Sequence, residues 1–490
     1  MNSVSEKPFI HLFQVAGGYY CYDVNTDRIV TLNKDEFTRL QDITERGMSW
    51  ESRQTESLNR LKEEGFLKVN RVRKTKHPET DYLKNYCESK VEGIILQLTQ
   101  QCNLRCKYCA YSGGYDNRTH SNKKMTVETA KKGIDFLLEH SRDSERLVIS
   151  FYGGEPLLEF KTIKVVVKYV EEKVEGKEIV FNFTTNGTLL TEEVVDFLVE
   201  HNIFITISLD GPENVHDKNR RHVGSEKGSY KTIMSNLEEL AKKYPDYFSK
   251  YLSVNAVLEG DDMQQVREFF ETNELVKNLT VMPTLVSTTN SKVRRTMSEK
   301  FFEEYEYIHF LTMLYAIGRI PGREKLGGYM KGKITRLASG RQEIDRKTRT
   351  VLPEKWHHSG PCLPGVMRLF VDVDGNFYPC EKVSEENKDA VIGDLENGYN
   401  LEKMLDALNI EKKNECHCHE CWAYSECSIC IATLNNKETE EQMKTRCAGV
   451  RRIVEEEMKD YCVLKELGAT FDWSEENQGL ERCGGEYVWT

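Results

Sequence analysis

Ten of the fifteen cysteines in this 490-residue chain fall into three short-spaced arrays. The first, Cys102, Cys106 and Cys109, has the spacing CxxxCxxC. Three thiolates on one short loop can hold three irons of a 4Fe–4S cube and leave the fourth iron without a protein ligand. A structural zinc ion would complete a tetrahedron with a fourth ligand, and the nearest further cysteine, Cys87, precedes the strand expected before the array. Zinc or idle thiols are the alternatives, and a triad at a strand end favours the cluster. The second array is Cys362 and Cys380, with Gly375 between them; the third is Cys418, Cys421, Cys427 and Cys430, with Cys447 beyond. Cys416, His417 and His419 crowd the start of the third array. Pairs spaced C-x2-C also suit zinc. Cys21, Cys87, Cys462 and Cys483 belong to no array and read as ordinary thiols.

Four polar groups follow the first array at intervals. Gly153, Gly154 and Glu155 lie in a Tyr-Gly-Gly-Glu-Pro run, Asn186 in Thr-Asn-Gly, Ser208 and Asp210 in Ser-Leu-Asp-Gly-Pro, and Arg220 and Arg221 end His-Asp-Lys-Asn-Arg-Arg. Glycine lets backbone approach a ligand closely, a carboxylate accepts strongly from an amino group, and a guanidinium pairs with a carboxylate. Plain turn chemistry is the alternative for each.

These groups need strand ends to hold them. Strands are expected at 94–98, 147–151, 179–183, 203–208, 253–257 and 279–282, and helices at 127–139, 161–172, 191–200, 230–243 and 263–271. Six strand–helix units predict a parallel sheet, an open doubly wound sheet or a partial barrel, with ligands at the C-terminal strand ends. Ahead of it, residues 1–75 predict a small separate module: strands at 9–13, 19–23 and 29–32, then helices at 33–43 and 55–64. That meander with helices is winged-helix-like. The basic stretch 71–78 reads as the start of a solvated linker, 76–92, before the region 93–320. A bridging region, 321–360, leads to the cysteine-rich 361–450, which has little apolar content and needs metal staples to fold. A C-terminal helix and tail, 451–490, completes the chain.

A net charge of −11 argues against a broad phosphate-binding surface. Residues 1–70 carry nine Lys or Arg against eleven Asp or Glu, a poor balance for DNA, although an iron–sulfur DNA-binding regulator is one alternative reading. The apolar runs are too short to cross a bilayer and no secretory signal is visible at the N-terminus, so a cytoplasmic protein that binds neither membrane nor nucleic acid is expected.

The CxxxCxxC array followed in order by the Gly-Gly-Glu turn and the later strand-end motifs resembles the radical S-adenosylmethionine superfamily. The resemblance implies a partial (β/α)6 TIM barrel of the radical SAM type, a cluster on Cys102, Cys106 and Cys109, and cofactor contacts from Tyr108, Gly153, Gly154, Glu155, Asn186, Ser208, Asp210 and Arg221, with Arg220 competing for the last role. The C-terminal arrays resemble a SPASM domain. By that resemblance Cys362, Cys380 and Cys430 hold one auxiliary 4Fe–4S cluster and Cys418, Cys421, Cys427 and Cys447 a second, giving three clusters in all. Cys416 would complete the first set, or a substrate cysteine would. Residues 1–75 resemble a RiPP recognition element, which captures the leader of a ribosomal precursor peptide as an added strand. The expected partners are therefore a precursor peptide containing cysteine and an electron donor such as flavodoxin or ferredoxin. The expected reaction is crosslinking, with a thioether favoured over carbon–carbon or carbon–oxygen bonds and over sulfatase-type maturation of a folded protein.

Overall fold

The computed structural model describes residues 7–225, 227–293, 297–320 and 349–469. The expectations for 321–348 of the bridging region, for Cys483 and for the tail 470–490 lie outside the described residues.

The chain begins with the meander β1 (Ile10–Gln14), β2 (Tyr19–Asp23) and β3 (Arg28–Leu32), ordered β1-β2-β3 and antiparallel throughout. Its second reversal is set by the Asp23 carboxylate, which accepts from the Thr26 N–H at 2.8 Å, and by Asp27 at φ 60°. Short acidic side chains favour this turn because they bond to nearby backbone and tolerate left-handed φ. Asn33 and Glu36 cap α1 (Lys34–Thr44) reciprocally. Sequence reading missed α2 (Trp50–Arg53), a single turn capped by Ser49, while α3 (Glu56–Glu63) ends before Gly65 at φ 98°.

Two expectations about this end of the chain are corrected. The module is not separate: Phe9, Phe13, Tyr20, Tyr22 and Val24 share one core with Tyr424, Val454, Met458 and Tyr461 of the C-terminal region. Nor is the basic stretch a solvated linker. There, β4 (Lys74–Thr75) buries Thr75, and α4 (Leu83–Ser89) sends Leu83 and Cys87 into the barrel core. Apolar Val72 and Leu83 anchor the segment while its lysines and arginines stay at the surface, a division that net charge does not reveal.

The central sheet follows the expected alternation: β5 (Gly93–Thr99), α5 (Val127–His140), β6 (Arg146–Gly153), α6 (Phe160–Lys173), β7 (Glu178–Thr185), α7 (Glu192–Glu200), β8 (Phe204–Ser208), then α8 (Glu213–Asn219), α9 (Tyr230–Lys243) and α10 (Pro245–Tyr251) before β9 (Leu252–Leu258), α11 (Met263–Thr272), β10 (Thr280–Leu285) and α12 (Glu299–Ala316). Each strand pairs parallel with its neighbour in sequence. On β6 the odd-numbered Leu147, Ile149 and Phe151 are buried in the core. The alternate positions line a cavity of about 570 Å³ whose walls include Ile95, Ser150, Tyr152, Asn182 and Thr184. Two of the polar lining residues are paired, Ser150 donating to Asn182 at 2.9 Å.

The sheet stays open. β11 (Lys355–Trp356) pairs with β4, and β12 (Leu369–Val371) joins the free side of β5 in parallel, followed by antiparallel β13 (Asn376–Tyr378), β14 (Gly393–Asp394) and β15 (Gly398–Tyr399), which makes ten strands in all. The cysteine-rich region is thus welded to the edge of the central sheet. It continues through α13 (Leu401–Leu408), α14 (Glu415–Cys418) and the long α15 (Glu440–Glu466), started by a Thr439–Gln442 capping box. Among the described residues, no helix is long and apolar enough to cross a membrane.

Candidate functional site

The loop after β5 carries the first cysteine array, and backbone bonds fix its path. Arg105 N–H donates to Arg221 O at 2.8 Å, Cys109 N–H to Cys106 O at 3.1 Å, and Tyr111 N–H to Cys109 Sγ at 3.4 Å. Underneath runs the Gly-Gly turn: Gly154 N–H donates to Thr99 O and Glu155 N–H to Gln101 O, each at 2.9 Å. A Cβ on Gly153 would come within 2.2 Å of Thr99 O, and one on Gly154 within 2.1 Å of Gln101 O. Gly153 is also held at φ 145°. The glycines therefore let β6 pass beneath the backbone that leads into Cys102.

Cys102, Cys106 and Cys109 are half-buried and act electrostatically on one another. Burial pushes the thiols of Cys102 and Cys106 up to about 12, with Arg220 partly opposing the rise at Cys106. Cys87 does not join them: it is buried on α4 with its sulfur 4.0 Å from Met404 Sδ. The array remains a triad. Among the described residues, three ligand atoms from His, Cys, Asp or Glu come within 4.8 Å of one another at His357, His358 and Glu411. The buried histidine pair is itself occupied. His357 Nδ1 faces His358 O at 2.7 Å, its Nε2 accepts from Glu411 N–H at 3.1 Å, and Glu411 accepts from Tyr424 and from His358 N–H. This hub ties the segment around β11 to the third array, with Thr75 of β4 also donating to Glu411 at 3.1 Å.

The remaining strand ends converge on the triad. Glu155 is buried and accepts from Thr185 Oγ1 at 2.7 Å, Asn186 N–H at 2.8 Å and Leu157 N–H at 3.1 Å, so three of about four lone-pair directions are used. Asn186 donates to Asn103 Oδ1 at 2.8 Å and approaches Cys102 Sγ at 3.8 Å. Ser208, at the end of β8, makes no side-chain hydrogen bond within the described residues.

Asp210 is a brace. Its carboxylate accepts from Arg220 Nε at 2.9 Å and Nη2 at 3.1 Å, from Val257 N–H at 3.0 Å, and from the Tyr108 hydroxyl. Burial opposes its ionisation, but the Arg220 guanidinium outweighs it and holds the carboxyl below the usual range. Arg220 also lies 5.3 Å from the Tyr108 ring centroid, which fixes that ring beside the cysteines. Arg221, expected at the cofactor, is exposed, its Nε donating to Asp217 O at 2.9 Å, whereas Arg220 is 6% exposed and pairs with Asp210. The backbone turns between the two, so adjacent arginines of identical type point opposite ways.

In the C-terminal region, Cys418, Cys421, Cys427 and Cys447 line a single cavity of about 140 Å³. Burial pushes the Cys427 thiol up to about 12, and Asn414 Nδ2 approaches Cys447 Sγ at 3.8 Å. Four converging thiols around a void form a donor set that suits a 4Fe–4S cluster. Of the other set, Cys380 and Cys430 act on each other, and Cys362 is exposed. Cys416 is exposed, its sulfur 3.2 Å from His417 Nδ1.

Residues 96–272 match the Radical SAM superfamily. The radical SAM cyclopropyl synthase TigE of Paramaledivibacter caminithermalis is 28% identical over 181 residues, 35% of this chain and 36% of that protein. The cysteine-type anaerobic sulfatase-maturating enzyme of Clostridium novyi is 32% identical over 165 residues, 31% of this chain and 41% of that one. The chain spans about two fifths of the length of the curated relatives it matches. Among solved structures, anSMEcpe with bound AdoMet and the Cp18Cys peptide superposes with a TM-score of 0.50 at 18% identity, covering 74% of this chain and 99% of that one. The fold is the α/β radical SAM fold.

Proposed function

We propose that this radical SAM enzyme is a peptide maturase that holds the leader of a ribosomal precursor peptide on residues 1–75 and installs crosslinks, foremost thioether bonds from cysteine to a carbon of another residue. The observation that carries the reading is the triad of Cys102, Cys106 and Cys109, apart from Cys87 on α4, set above the Gly153–Glu155 turn and beside the Arg220–Asp210–Tyr108 brace. Cys102, Cys106 and Cys109 would hold the cluster, with Glu155, Asn186 and Ser208 facing the cofactor. When bound, S-adenosylmethionine and its cluster would supply a 5′-deoxyadenosyl radical, and auxiliary clusters on Cys362, Cys380 and Cys430 and on Cys418, Cys421, Cys427 and Cys447 would supply an electron acceptor. The protein's part is to keep Tyr108 and Arg220 fixed and to present the peptide. An electron donor of the flavodoxin or ferredoxin kind serves the reduction.

Leader capture is supported by β3, which lies at the edge of its sheet and, among the described residues, pairs only with β2. An edge strand offers unpaired backbone groups to an extended peptide, and tethering the leader raises the local concentration of the core peptide. The thioether reading comes from the first auxiliary set of Cys362, Cys380 and Cys430, three thiols whose fourth ligand would be Cys416 or a substrate thiolate. Likeness to a cyclopropyl synthase favours carbon–carbon bond formation as the second reading. Co-expression with a cysteine-containing precursor, followed by thiol alkylation and mass spectrometry, separates the two. Loss of two hydrogens with a cysteine that resists alkylation is expected; loss of two hydrogens with every cysteine alkylated leaves the carbon–carbon reading.

A further inference from the structure

Nine residues after Cys109, in the loop between β5 and α5, sits an arginine that no motif predicts. Arg118 is 4% exposed. Its Nη2 donates to Glu381 O at 2.9 Å and to Val383 O at 2.6 Å, the backbone carbonyls one and three residues after Cys380. Its Nη1 reaches the Tyr152 hydroxyl at 3.3 Å, and its Nε forms an ion pair, not a hydrogen bond, with Glu385 Oε1 at 3.2 Å. The guanidinium packs over the rings of Tyr111, Tyr152 and Phe370, with centroids 5.4 to 5.7 Å away. Gln97 of β5 completes the knot, donating to both Glu385 at 2.6 Å and the Tyr111 hydroxyl at 2.8 Å.

The same loop makes backbone bonds in two directions. Ser384 Oγ donates to Asp116 O at 2.9 Å and Glu385 N–H to Asn117 O at 3.1 Å, which holds the segment after Cys380. Asn436 Nδ2 donates to Asp116 O at 2.7 Å, which holds the segment after Cys430. One short stretch, 116–118, therefore grips the chain beyond both Cys380 and Cys430 while its own start is fixed by the radical-type cysteine loop. A buried arginine is costly unless its charge and donors are matched, and here the planar fork is matched by two carbonyls that would otherwise be orphaned.

We propose that Arg118 is a positioning residue that sets the 380–385 segment, and with it the first auxiliary site, against the 102–109 loop. The proposal rests on the radical SAM reading only for its consequence, since the clamp itself is a property of the protein without clusters. In an enzyme that must pass an electron from a reacting peptide to a site on Cys380, a loop free to drift would uncouple cleavage of S-adenosylmethionine from the auxiliary site.

The test uses the full chain with Arg118→Gln and Arg118→Lys. Lysine keeps the charge but not the planar fork that serves both carbonyls. Hydrogen exchange of the cluster-free protein is expected to quicken by about tenfold or more across 380–385 in both variants, with β6 and β7 within about twofold of the parent. After anaerobic reconstitution, 5′-deoxyadenosine formed from S-adenosylmethionine and dithionite should stay within about threefold of the parent, while the paramagnetic signal of the reduced auxiliary clusters changes. Unchanged exchange across 380–385 overturns the proposal, as does equal quickening in β6 and β7, which would make Arg118 a global stabiliser. Full restoration by lysine also overturns it, because charge alone would then suffice. Should the glutamine variant fail to fold, the lysine variant decides. If the parent forms no 5′-deoxyadenosine, the function proposed above falls while the exchange result still decides the role of Arg118.

Discussion

The cysteines of the barrel and those of the C-terminal region are held in different ways. Around Cys102, Cys106 and Cys109 the frame is complete without metal: β5 to β8 are long and buried, Gly153 and Gly154 seat the loop on the next strand, and Asp210 has all its acceptor directions filled. The third array instead rides on single helical turns, Glu415–Cys418, Tyr424–Glu426 and Ile431–Thr433, with a satellite core of Ile410, Ile429 and Leu434. A rigid scaffold can leave a coordination position open for a cofactor. A segment built on so little regular structure leans on its metal for folding energy.

The comparison can be broken most sharply by removing ligands. Replacing Cys102, Cys106 and Cys109 together by alanine should lower 5′-deoxyadenosine formation by a factor of about 1,000 or more, yet leave roughly eight irons per chain on the auxiliary sites. Iron and sulfide analysis beside chromatography checks both halves. Stripping all iron should act in the opposite place, making 415–447 more sensitive to protease by about a hundredfold while the 93–285 barrel keeps its protection.

Smaller changes sharpen the contrast. Arg220→Met leaves Asp210 buried and unpaired and should cost about 3–5 kcal/mol in chemical denaturation, whereas Arg221→Met should fall within about 0.5 kcal/mol of the parent. At the C-terminal end, Thr439→Ala removes the capping box of α15, the helix that carries Cys447, and should cost about 1 kcal/mol, read from the same denaturation curves.

The barrel was legible in the sequence because its strands alternate with amphipathic helices long enough to show their period, and each of the six expected strands overlaps an observed one. The triad and the Gly-Gly-Glu turn were legible because their chemistry is local. What escaped depends on distant partners. β12 to β15 are two or three residues long and exist because β5 offers an edge. Arg220 and Arg221 are equivalent by type, and only the turn after α8 separates them. Arg118 gave no signal, since the carbonyls it grips lie more than 260 residues away. The shared core of the N-terminal meander and α15 was hidden for the same reason: each half reads as a self-contained amphipathic element.

The most direct measurement mixes anaerobically purified protein with S-adenosylmethionine and dithionite and quantifies 5′-deoxyadenosine, alongside iron and sulfide. About twelve irons per chain and steady nucleoside release that disappears in Cys106→Ala would agree with an open-iron triad. Full cluster loading with no release above the Cys106→Ala background, or zinc bound in place of iron at this loop, would contradict it.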